Sequence, residues 1–177
     1  MAVVYAATMS LDGYIAGPGG DMQWLVPYLG ANPEAEELAR RTGALLIGAR
    51  TLFGDDPHRG TDREGAFGST GTGRRSCSRT PRRPRPCRRH LPRLLGRGAG
   101  AAEAAAGDGD VAVLGADVAR QCLQTGHLDT VLVVVAPVLL GDGTRLLDLP
   151  GGTNVRLQPL NVTPLDQVTN LWMRVVR

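Results

Sequence analysis

The chain is punctuated by short, continuously apolar runs separated by stretches of helical period, a pattern that predicts strands alternating with helices. Val3 to Thr8 (Val-Val-Tyr-Ala-Ala-Thr) has no polar alternation and predicts a central strand buried on both faces. Ser10-Leu11-Asp12-Gly13 then reads as a turn, Tyr14-Ile15-Ala16 as a short extension, and Gly17-Pro18-Gly19-Gly20-Asp21 as the breaker opening a long loop. Asn32-Pro33-Glu34 signals a helix start: Asn32 suits the cap, Pro33 the first helical position, and Glu34, Glu36 and Glu37 the positive end of the dipole. Arg40 and Arg41 suit the last turn, Gly43 is the predicted stop, and Ala44 to Ile47 is a second buried strand ending at Gly48.

The same rhythm resumes at Asp110. Val111 to Leu114 predicts a strand, Gly115 a turn, Asp117 to Gln124 a helix stopped by Gly126, and Thr130 to Ala136 a strand apolar on both faces. Pro137 to Gly143 reads as loop. Val155–Val162 and Leu171–Val176 are predicted as antiparallel terminal strands, because the residues between them are too few for a helical crossover. Strands separated by helices, followed by strands alone, predict one three-layer α/β/α domain around a mixed, mostly parallel sheet with antiparallel C-terminal strands.

Composition changes this picture in one place. A length of 177 residues and 42% hydrophobic content fit one globular domain. The net charge of +3 hides a split, however. Lysine is absent, and ten of the 20 basic residues are arginines between Arg74 and Arg97, a stretch without Asp or Glu. The remaining chain sets ten arginines against 17 acids, a net charge of −7. The basic pI therefore describes one segment, and no aromatic residue is interleaved there for base stacking, so no nucleic-acid partner is expected. The segment shows no strand or helix period. The absence of lysine points to GC-rich coding, and with serine codons chosen accordingly a shifted reading frame through Arg75–Pro81 gives an aliphatic or Phe, then Val, Leu, a Ser/Thr/Ala/Pro position, a His/Asp/Asn/Tyr position, and Pro. An out-of-frame segment thus stands beside a native basic arm as a reading, and resequencing the gene decides between them.

Three cysteines (Cys77, Cys87, Cys122) without CxxC spacing argue for free thiols in a reducing cytoplasm, with Cys122 a small core residue. His58, His90 and His127 are too scattered to suggest a metal. No run approaches the ~20 apolar residues of a membrane helix, and Met1–Ala7 lacks the basic lead of a signal peptide, so no membrane partner is expected.

Candidate chemistry gathers at three predicted strand ends, where loops of open α/β sheets bind ligands. Thr8-Met9-Ser10-Leu11-Asp12-Gly13-Tyr14-Ile15-Ala16 is a strand and turn in which Asp12 either bonds the turn or faces a ligand. Gly48-Ala49-Arg50-Thr51-Leu52-Phe53-Gly54-Asp55-Asp56-Pro57 puts a glycine, a guanidinium and a helix start together, a combination suited to anions. Its adjacent aspartates either hold sugar hydroxyls or end the helix. Leu114-Gly115-Ala116-Asp117-Val118 is a third strand–glycine–helix junction, without the GxGxxG fingerprint. Trp24 either lines a substrate pocket or anchors its loop.

Taken in order, the Ser-Leu-Asp-Gly-Tyr-Ile-Ala segment, the Gly-x-x-Thr-Leu-x-x-Asp-Asp-Pro run, and His127-Leu128-Asp129 leading to Ala136-Pro137-Val138-Leu139-Leu140-Gly141 resemble the reductase domain of bacterial riboflavin biosynthesis. This is the RibD C-terminal type, within the dihydrofolate-reductase-like superfamily, and the resemblance covers residues 1–68 and 107–149. It implies an NADPH-dependent oxidoreductase that delivers hydride to a ribosylamino-pyrimidine or related heterocycle. It further implies cofactor contacts from Thr8, Ile15, Gly48, Arg50, Thr51, Gly115, Ala116 and Val118. Asp55 is implied as the catalytic residue facing the substrate, and a homodimer as the assembly; Asp12 and Trp24 stand beside it as substrate-side candidates read from the residues. In this family the strand that meets the cofactor's 2′-phosphate corresponds to the arginine-rich stretch. The alternative is a non-catalytic relic or binding protein of the same fold, disabled by an out-of-frame middle segment.

Overall fold

The computed structural model describes residues 1–60, 64–65, 91–152 and 154–177, and for residues 91–98 the helix but not the side chains. Residues 74–90 of the arginine-rich stretch, with Cys77, Cys87 and His90, lie outside the described residues.

Among the described residues, strand β1 (Val3–Ser10) occupies the middle of a six-stranded sheet, as its unbroken apolar run requires. With β3 (Thr42–Ile47), β4 (Asp110–Leu114), β5 (Thr130–Ala136), β7 (Leu157–Leu165) and β8 (Val168–Val175), the order is β3-β4-β1-β5-β8-β7. The first four strands are mutually parallel, and β8 and β7 run antiparallel to their inner neighbours. Parallel pairing has one consequence for function: Ser10, Ile47, Leu114 and Ala136, the last residues of four strands, all lie at the same sheet edge. A separate two-stranded ribbon pairs β2 (Tyr14–Ala16) with β6 (Thr144–Arg145), a pairing without a local signal.

Helices cover both faces, giving the expected three layers. Helix α1 (Pro33–Arg41) lays Leu38, fully buried, against Val4 and Leu132 on one face. Asn32 caps it, its Oδ1 accepting from the N–H groups of Glu34 and Ala35 at 3.2 Å each. On the opposite face, Ala106 of α3 (Leu91–Ala106) and Ala119 and Cys122 of α4 (Ala116–Gln124) pack against Val3, Tyr5, Val111, Val113, Val131 and Val133. Burial pushes the free Cys122 thiol up to about 11, aided by the charge of Glu103, so it stays protonated and inert at neutral pH.

Three expectations need correction. Gly43 does not stop α1: Thr42 is already its C-cap and the first residue of β3, and Gly43 lies within that strand. The reason is tertiary, because a Cβ at Gly43 would strike the Ala106 carbonyl oxygen, so glycine is required where α3 ends against β3. The stretch said to lack helical period is helical from Leu91 onward, as the start of α3. The terminal hairpin is shifted from 155–162 and 171–176, since pairing runs up to a tight turn at Asp166 (φ 46°) and draws in Thr163–Leu165 and Val168–Asn170.

Candidate functional site

Two glycine corners meet at the loop-bearing edge. Gly48 follows β3 and caps α2 (Ala49–Leu52), and Gly115 follows the neighbouring strand β4 and caps α4. The Gly48 N–H donates to the Leu114 carbonyl at 3.1 Å, clamping one corner to the other. Gly115 adopts φ 101° and ψ 132°, a backbone region that residues with a Cβ rarely enter. A Cβ there would stand 2.5 Å from Thr51 Oγ1, and one on Gly48 would stand 3.2 Å from Val118 Cγ2. Gly48, Thr51, Gly115 and Val118, from two separate motifs, thus form one packed corner. Arg50 is exposed beside it. Helix α4 begins with no side-chain cap, and its first internal bond is Ala119 N–H to Gly115 O. The N–H groups of Ala116, Asp117 and Val118 are therefore unused by the helix.

The three aspartates in these loops do different work. Asp12 accepts from Ser10 Oγ at 2.5 Å, from the Leu140 N–H at 3.1 Å and from the Gly141 N–H at 2.7 Å. It locks the turn after β1 to the loop after β5, which the Leu11 N–H to Val138 O bond also joins. Chiefly the Ser10 hydroxyl, with these N–H groups, lowers its carboxyl to about 2. The turn-bonding reading of Asp12 is the one its contacts express. Asp56 is local, accepting from the His58 N–H at 2.8 Å and the Gly65 N–H at 2.8 Å.

Asp55 reaches across instead. Its Oδ2 accepts from the Met22 N–H at 3.2 Å and from Gln23 Nε2 at 2.9 Å, bridging the post-α2 loop to the loop that follows β2. The Gln23 amide, then the Met22 N–H, holds its carboxyl below the usual range despite some desolvation. Neither bond uses Oδ1. Gln23 is a residue that sequence reasoning missed, and no local signal marks it, because its partner lies 32 positions on.

Trp24 follows Gln23 in the same turn (Gln23–Tyr28), with its indole N–H buried and without a partner among the described residues. Thr8 lies near the end of β1 opposite Val134, and Ile15 lies in β2, both half-buried at this edge and bonded to neither glycine corner. Among the described residues, no group of His, Cys, Asp or Glu is placed to hold a metal. No described helix is long and apolar enough to cross a membrane.

The model of the family described as RibD C-terminal domain matches residues 1–96 and 102–171. The chain belongs to the RibD C-terminal domain family. That match extends the likeness read from motifs into the C-terminal hairpin and through the middle of the chain. No curated protein sequence matches it. Among solved structures, a Shewanella sp. PV-4 protein assigned to riboflavin biosynthesis is similar at TM-score 0.69 and 19% identity, over 100% of both chains. A Thermotoga maritima diaminohydroxyphosphoribosylaminopyrimidine deaminase/5-amino-6-(5-phosphoribosylamino)uracil reductase aligns at 0.64 and 18% identity, over 99% of this chain and 56% of its own. The Saccharomyces cerevisiae riboflavin biosynthesis reductase Rib7 aligns at 0.59 and 13% identity, over 99% of this chain and 90% of its own. At these identities the likeness establishes the dihydrofolate-reductase-like fold, and this RibD C-terminal domain spans little more than half of the Thermotoga protein.

Proposed function

We propose that this protein is an NADPH-dependent reductase acting on a ribosylamino-pyrimidine or a related heterocycle, working in the cytoplasm as a homodimer. The observation that carries the reading is the meeting of the Gly48 and Gly115 corners at the edge that also holds Asp55. The donor set fits a dinucleotide. Three unused N–H groups at the α4 start and the exposed Arg50 guanidinium suit its phosphates. Asp117 adds a negative charge to that turn, offset by Arg120 at 2.6 Å. Ala116 and Val118 would border the phosphates, and Thr8 and Ile15 the nicotinamide end.

NADPH, when bound, supplies the hydride. The chain orients what receives it. Asp55 is held ionised, so it accepts a hydrogen bond from a substrate hydroxyl and fixes the reacting carbon, rather than donating a proton. Trp24, next to the residue that grips Asp55, would border the heterocycle, and its orphan indole N–H would gain an acceptor there. Asp12 acts on the substrate only indirectly, by fixing the β1–β2 turn.

NADPH titration followed by tryptophan fluorescence tests the reading. Saturable quenching is expected, and no quenching at millimolar cofactor overturns it in favour of a non-catalytic member of the fold.

A further inference from the structure

Resting on that reading, we propose that Gln23 is a positioning residue for Asp55: its side-chain amide fixes Oδ2 and thereby aims Oδ1 at the substrate. The geometry is specific. A carboxylate on a post-helix loop rotates freely unless one oxygen is tied, and here a single oxygen takes the two donors from the facing loop, the Met22 N–H at 3.2 Å and Gln23 Nε2 at 2.9 Å, beside a local contact from the Asp56 N–H. The Gln23 backbone is fixed in turn, because its main-chain N–H donates to Asp21 Oδ1 at 2.9 Å. The assembly is a relay from Asp21 through Gln23 to Asp55 that joins two loops otherwise distant in sequence. The Met22 backbone bond survives any side-chain change, so substitution at Gln23 loosens the carboxylate without freeing it.

The charge environment makes the relay measurable. Around Asp55 stand Arg59, which favours its ionised form and donates to the Gly54 carbonyl at 2.9 Å, Asp56 next in the chain, and Asp21 behind Gln23. The Gln23 amide is first among the hydrogen bonds that hold the Asp55 carboxyl below its ordinary value. Removing it therefore raises the Asp55 titration midpoint, and a carboxylate in its place raises it further by like-charge repulsion.

Three variants separate the possibilities: Gln23→Leu, Gln23→Glu and Asp55→Asn, each checked for its thermal melt. Gln23 is exposed, and should Gln23→Leu misfold, Gln23→Asn withdraws the amide conservatively. Carbon-13 carboxyl NMR of the full chain without substrate reads the Asp55 midpoint independently of turnover. The midpoint is expected to rise in Gln23→Leu and to rise further in Gln23→Glu. The acid limb of kcat/KM should move with it, costing roughly tenfold in rate per pH unit below the limb. At neutral pH Gln23→Leu should lower kcat more than it raises KM, because orientation rather than affinity is lost. An unmoved NMR midpoint in both Gln23 variants overturns the proposal and leaves the reductase reading standing. Full activity in Asp55→Asn removes the role assigned to Asp55, and the Gln23 relay falls with it.

Discussion

The parallel half of the sheet and its antiparallel end solve different problems. In β3-β4-β1-β5 the strands are apolar on both faces because helices cover both, and Val4, Tyr5, Ala112 and Val113 are no more than 1% exposed. Every chain reversal at one edge of this half opens onto a loop, and the two glycine corners and Asp55 are found there. In the β8-β7 hairpin, by contrast, the outer strand carries Leu157, Leu160 and Val162 at 49%, 43% and 53% exposure, along with Pro159 and Pro164. Proline belongs at a sheet edge, where a missing N–H breaks no ladder. The parallel half is thus constrained residue by residue, and the hairpin end is permissive. The candidate site sits on the constrained half.

Substitutions can break or sharpen this contrast. The largest effect is expected from Gly43→Val, which drives a side chain into the Ala106 backbone and should cost about 3 kcal/mol or more in denaturant unfolding. An effect below half of that would mean α3 is not tightly seated on β3. Next comes Gly115→Ala, whose Cβ meets Thr51 Oγ1 at 2.5 Å on a backbone of φ 101°. A loss of about 1–3 kcal/mol and at least tenfold weaker NADPH binding by fluorescence are expected. Unchanged binding would detach the corner from the cofactor.

Asp12→Asn should produce a smaller and pH-dependent loss. The folded carboxyl, lowered to about 2 from 3.8, contributes stability that is complete above the unfolded value. That contribution disappears as pH falls through the folded value. The melting temperature of the variant should lie below wild type at neutral pH, and the two should converge between about pH 4 and 2. A gap that persists at pH 2 would locate the defect elsewhere. Least of all, Val162→Thr on the exposed hairpin should stay within about 0.5 kcal/mol of wild type. A larger loss, or a change in mass by light scattering, would show that this end is covered in solution.

Much of the fold was legible because its signals are local. The uncapped apolar run of β1, the Asn32-Pro33 start of α1, and the glycine junction before α4 each lie within a few residues and obey steric or capping rules. Gly43 misled because glycine has two uses, as helix stop and as a point of close approach, and only the position of Ala106 chooses between them. The start of α3 was hidden by a composition in which arginine, glycine and proline mask the helical period. The glycine corners were legible as separate pieces, although their contact was not.

The amino-acid sequence by itself determined the buried strands β1, β3, β4 and β5, the capped start of α1, and that glycine junctions follow two of the strands. The tertiary structure alone decided that those junctions touch, that Asp12 is consumed in a lock 128 and 129 positions away, and that Asp55 is held by Gln23. The physical reason is range. Backbone preference and capping act over one helical turn, whereas a hydrogen bond between loops exists only after strand order has carried its two ends to the same edge of the sheet.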